Sequence, residues 1–108
     1  MEYSGKIIRG TTPPFDITLP FDTALLSECR ISFAQYSASK VKVIVVQKNI
    51  EDVALNGTMV SLKLTQEETL KFREKVDIEL ELKVKVGADV FKDRYLLECE
   101  GCVCEEVL

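Results

Sequence analysis

Three thiols stand within six positions near the end of the chain, Cys99, Cys102 and Cys104 in CEGCVC, and a fourth, Cys29, stands far upstream. Thiolates are soft metal ligands, and a structural zinc takes four donors at about 2.3 Å, which sets neighbouring sulfurs roughly 4 Å apart. With no histidine in the chain, such a site would need Cys99, Cys102 and Cys104 together with Cys29, or with a carboxylate such as Glu100 or Glu105. The spacing resists this. Residues two apart on a regular strand share a face but stand roughly 7 Å apart, so Cys102 and Cys104 could hold one ion only across a kink or bulge, for which Gly101 is the nearest device. The paired C-x-x-C knuckles of zinc domains are missing. Cys29 falls in step with Ile31 and Phe33, and the terminal thiols fall among Leu97, Val103 and Val107. All four therefore read first as small core residues, with zinc bound by Cys29, Cys99, Cys102 and Cys104 as the alternative and no other cofactor implied.

Other chemistries find less support. Gly10-Thr11-Thr12 invites comparison with a phosphate loop, but a Walker A loop needs lysine directly after its last glycine, where threonine stands here. A Ser-His or Cys-His nucleophile is excluded in its usual form by the lack of histidine. Carboxylate pairs occur, yet 18 acidic residues in 108 produce pairs on any solvated strand face. No enzyme is expected, and no catalytic residue is assigned.

The elements that would position these residues are strands. In 76–86 (VDIELELKVKV) Val76, Ile78, Leu80, Leu82, Val84 and Val86 alternate without error against Asp77, Glu79, Glu81, Lys83 and Lys85, the pattern of a strand with one dry face. The same alternation marks 15–19 (FDITL) and 58–64 (TMVSLKL). The segment 29–36 puts Cys29, Ile31 and Phe33 on one face, and 41–48 (VKVIVVQK) is β-branched on both, which suggests cover on both. Asn56-Gly57 is the preferred type I′ pair and predicts a hairpin between 52–55 and 58–64. Thr65-Gln66-Glu67-Glu68 is a capping box and predicts about two helical turns, ending near Phe72. Asp22 is placed to cap one further turn. Short runs separated by turn signals predict an all-β antiparallel sandwich of seven or eight strands in one domain, with one or two short helical turns.

Two surfaces stand out for association. The polar face of 77–85 is acidic first and basic second, so a copy laid antiparallel about Glu81 would set Asp77 against Lys85 and Glu79 against Lys83. That makes Asp77, Glu79, Glu81, Lys83 and Lys85 candidates for self-association, against the alternative of pairing with neighbours such as Lys40 and Lys42. Near the N-terminus Lys6 and Arg9 flank Ile7 and Ile8 ahead of a Pro-Pro stop, a candidate assembly contact whose alternative is an ordinary first strand.

Composition narrows the partners. Charged residues make up 30% of the chain and hydrophobic ones 46%, and the net charge is −4. Acids are interleaved with bases, which gives no basic face for nucleic acid. The opening MEYSGKIIRG has no apolar run of signal-peptide length, and nothing approaches the roughly 20 apolar residues of a membrane helix. A soluble chain with reduced thiols and no membrane or nucleic-acid partner is expected.

Several of these stretches together, Ile8-Arg9-Gly10-Thr11-Thr12-Pro13, FDITL, Leu19-Pro20-Phe21-Asp22-Thr23, ISFAQ at 31–35, the Asn56-Gly57 hairpin and 64–72 with the alternating strand after it, resemble small proteins encoded in tail modules of Firmicutes phages and prophages. The resemblance spans most of the chain. It implies an immunoglobulin-like sandwich of the tail or baseplate type, no enzymatic activity, assembly with other virion or tail proteins or with itself, and a place in the virion or the bacterial host cytoplasm. It carries no catalytic residue across. The ending RYLLECEGCVCEEVL departs from the pattern, which keeps the small zinc-binding domain as an alternative. A cell-surface or carbohydrate-binding sandwich is the other, although no tryptophan and three tyrosines leave it without a stacking platform.

Overall fold

The computed structural model describes residues 3–101 and 107–108. Along the chain it contains β1 (Gly5–Ile8), β2 (Pro14–Thr18), a 3-10 turn at Thr23–Leu25, β3 (Glu28–Tyr36), β4 (Lys42–Asn49), a 3-10 turn at Ile50–Asp52, β5 (Ala54–Asn56), β6 (Met59–Lys63), α1 (Gln66–Leu70), β7 (Ile78–Val86) and β8 (Asp89–Glu100). The strands form a five-stranded sheet in the order β1-β8-β7-β3-β4 and a three-stranded sheet in the order β2-β6-β5. This is the expected all-β, two-sheet arrangement with few helical turns. One pairing departs from an all-antiparallel plan: β1 runs parallel to β8, with Gly5 beside Leu97 and Ile8 beside Glu100. A parallel pair cannot be closed by a tight turn, and here almost the whole chain lies between the two strands and serves as the connection.

Period-two burial builds the core. Ile78, Leu80, Leu82 and Val84 of β7 point inward, beside Cys29, Ile31 and Phe33 of β3, Leu97 and Cys99 of β8, and Ile7 of β1. Ile17, Val60 and Leu62 face them from the smaller sheet, and Leu64 and Phe72 close the side around α1. Phe33 is fully buried, with its ring 5.4 Å from Phe15 and 6.1 Å from Phe72, so one aromatic side chain touches both the facing sheet and the helical segment. Each fully buried side chain of this size contributes roughly 1.5–3 kcal/mol of transfer free energy.

The caps behave as the sequence implies. Thr65 accepts from the Glu68 amide while Glu68 accepts from the Thr65 amide, and Asp22 accepts from the amide of Ala24. α1 stops at Leu70 rather than near Phe72. The Asn56-Gly57 hairpin forms, but its turn is displaced by one residue: Asn56 pairs with Met59, so Gly57 and Thr58 are the central residues, with Gly57 at φ +61°. Glycine at the first central position is the type II′ requirement, not the I′ turn that the Asn-Gly pair suggested. The displacement keeps Val60 and Leu62 on the inner face.

β4 also differs from expectation. It is an edge strand, and Val41, Val43 and Ile44 are 59, 47 and 56% exposed. The smaller sheet has two strands fewer, and near the hairpin Val41 and Val43 on the inner face and Ile44 on the outer face are left exposed.

Candidate functional site

The thiols do not converge. Cys29 sits opposite Val84, near one end of β7, whereas Cys99 lies two residues past Leu97, which sits opposite Ile78 at the other end. At the rise of a strand the two sulfurs are on the order of 25 Å apart. A four-cysteine site using Cys29 is therefore ruled out. Among the described residues no group of three or more potential ligands gathers, and Cys102 and Cys104 lie outside the described residues. Burial pushes the thiols of Cys29 and Cys99 above the usual cysteine range; at Cys99 Arg9 opposes this and Glu74 adds to it. Both behave as core residues.

The acidic-to-basic row of β7 is placed where it cannot pair edge to edge. β7 is flanked by β8 on one side and β3 on the other, so the self-pairing expected about Glu81 has no open edge to use. The side chains do share the outer face, and several are engaged within the chain. Glu79 is 2.7 Å from Lys42, Glu81 is 3.8 Å from Lys92, and Asp77 accepts from the Tyr3 hydroxyl at 2.9 Å. The alternative of intrachain pairing thus holds for Lys42. Among the described residues Lys83 and Lys85 make no ion pair.

The N-terminal contact candidate is taken up by the fold in the same way. Ile7 is fully buried, Lys6 meets Glu100 at 3.4 Å, and Arg9 donates to the Leu70 carbonyl at 3.0 Å. Ile8 is half-buried. Residues 6–9 are a packed first strand and its exit, because Ile7 belongs to the shared core and cannot be offered to a partner.

Two buried polar side chains that residue patterning passed over hold the loops. The Gln35 amide donates to the carbonyls of Arg73 and Val76 at 2.9 Å and accepts from the Arg73 amide at 2.8 Å. The Thr69 hydroxyl donates to the Thr11 carbonyl and accepts from the Gly10 amide. Both tie irregular backbone to the core, and their only sequence signal is a polar residue falling on an otherwise apolar face.

What the fold leaves outward is apolar surface at the ends of the large sheet. At the β3–β4 hairpin Tyr36, Val41, Val43 and Ile44 are exposed, with Lys42 lying 5.6 Å over the Tyr36 ring. The hydrogen bond to Glu79 holds the Lys42 ammonium above its ordinary range. At the other end Leu25, Val90 and Phe91 are exposed, and the Phe91 ring lies 5.2 Å from Phe21. A cleft of about 440 Å³ opens between β1, β2 and β8, walled by Phe15, Ile17, Leu80 and Tyr95. Such surfaces can bury area against another protein.

Among the described residues no helix is long and apolar enough to cross a membrane. The chain matches no family model, and no curated protein is significantly similar to it.

Proposed function

We propose that this chain is a non-enzymatic assembly protein, a structural or accessory component of a phage or prophage tail or baseplate, built as an immunoglobulin-like sandwich and working through protein–protein contacts. The observation that carries the assembly role is the exposed apolar rim of the β3–β4 hairpin, where Val41, Val43 and Ile44 are each about half exposed or more on an open sheet edge. Soluble sheet proteins usually guard long edges with charge, proline or cover, and an edge left apolar is a place for another chain to pair. The tail assignment rests on the resemblance of residues 8–23, 31–35 and 64–72 to tail-module proteins.

Particles induced from the strain that encodes the chain provide the test. Mass spectrometry of purified virions is expected to find the chain at a fixed ratio to tail proteins, and tailless particles are expected to lack it. Its absence from complete particles, with the chain present only in the cytosol, would overturn the tail assignment.

A further inference from the structure

The β4 edge is apolar on both sides of the sheet near the hairpin, and its backbone geometry selects one way of being covered. The Ser37 amide donates to the Val41 carbonyl at 2.8 Å, and the register continues as Tyr36 with Lys42, Gln35 with Val43 and Ala34 with Ile44. In an antiparallel ladder the bonded and non-bonded pairs alternate. Val41 and Val43 therefore turn their amides and carbonyls toward β3, and Lys42 and Ile44 turn theirs to the open edge. Further along, the register shifts: Phe33 pairs with Val46 and Ala34 with Ile44, which leaves Val45 as the extra residue of a bulge. Regular pairing at the open edge is thus confined to the hairpin side of Val45.

We propose that this edge is covered by a second copy of the chain, the two β4 strands pairing antiparallel about a two-fold axis through Val43 and joining two five-stranded sheets into one. The proposal rests on the assembly reading above and names its partner.

Three constraints fix the register. A two-fold axis normal to a continuous sheet must pass through a residue, because a half-step would set inward side chains against outward ones. An axis at Ile44 or beyond brings the bulge into the pairing. An axis at Lys42 opposes two ammonium groups. An axis at Val43 satisfies all three: Val43 faces its own copy, and the open-edge groups of Lys42 meet those of Ile44 in both directions. Charge is also arranged for this, since Lys42 is held by Glu79 of its own chain at 2.7 Å and its stem would lie along the partner's Ile44. On the other face, Val43 would close against Val43 of the second copy, covering a side chain that is now 47% exposed, with Val41 diagonal to it.

Disulfide trapping tests the register. In a chain with Cys102 and Cys104 replaced by serine, Val43→Cys is expected to give a covalent dimer with oxidised glutathione, because a non-bonded antiparallel pair brings the two Cβ atoms within reach. Val41→Cys, whose two copies would lie about four residues apart along the ladder, is expected to stay monomeric. Sedimentation of the unmodified chain is expected to show a monomer–dimer equilibrium weakened about 30-fold or more by Val43→Lys. The same change at Leu55, on the edge of the smaller sheet, is expected to leave the equilibrium unaltered. Equal trapping at positions 41 and 43, an equilibrium indifferent to Val43→Lys, or a monomer at every concentration would overturn the proposal. A monomer that still enters purified particles would do so without touching the assembly reading.

Discussion

Gln35 shows how much irregular backbone one buried amide can hold. It is 3% exposed and satisfies two carbonyls and one amide in the segment between α1 and β7. Within that segment Lys75 adopts φ +64°, a left-handed conformation that costs a non-glycine residue roughly 1–2 kcal/mol. Gln35→Leu keeps the volume but strands three backbone groups, and a loss of about 2–4 kcal/mol in unfolding free energy is expected by urea titration. A change below about 0.5 kcal/mol would mean that water replaces the amide at little cost. The one local sign of this glutamine's role is its phase with Ile31 and Phe33; what it bonds to is not legible in ISFAQY, because its partners lie in a loop some forty positions away. The cysteines are the converse case. Cys29 was legible as a core residue from its phase with Ile31 and Phe33, and burial raising its thiol agrees with that placement.

At the scale of elements, α1 is fastened to β4 by Lys48 and Glu68, 2.7 Å apart and both mostly buried. Desolvation, the largest influence on Glu68, raises its carboxyl, but hydrogen bonds from Lys48 and from Thr65 together outweigh it and leave the group below its ordinary value of 4.5. A carboxyl depressed in the folded state binds fewer protons than in the unfolded one, so its contribution is full above about 4.5 and is lost as pH falls through the folded value. Glu68→Gln is expected to cost about 1–2 kcal/mol at neutral pH. The gap between the two proteins should narrow as the medium is acidified below about pH 4.5, as chemical denaturation at a series of pH values would show; a gap constant with pH would assign the effect to packing. The capping box of this helix was plain in Thr65-Gln66-Glu67-Glu68, because it is local chemistry. The hairpin turn after Asn56 was legible in kind but misplaced by one residue, since the choice of central residues is made by which side chains of β6 must face the core. The parallel β1–β8 pair had no local signal, because nothing in either strand encodes a partner more than ninety residues away.

For the molecule as a whole, the long alternating strand 76–86 told most of the fold but misled about association. Its unbroken alternation is the pattern of a strand with one dry face, and burial on that face is what it has. That pattern does not say whether a strand is central or at an edge, so a charge row suited to edge pairing turned up on β7, with neighbours on both sides. The edge fell to β4, whose β-branched run had suggested cover on both faces. Amide exchange separates these positions strand by strand. β7, paired throughout with β3 and β8, is expected to exchange slowest, near the rate of global opening, while the three-residue β5 exchanges fastest. Within β4 the Val43 amide, turned toward β3, is expected to be protected at every protein concentration. The neighbouring amides of Lys42 and Ile44 are expected to exchange quickly in dilute solution and to gain protection as concentration rises, because only a second chain can cover them. Protection of Lys42 and Ile44 equal to that of Val43 in dilute solution would mean that the open edge is already satisfied within one molecule, and the association argument would then lose its footing.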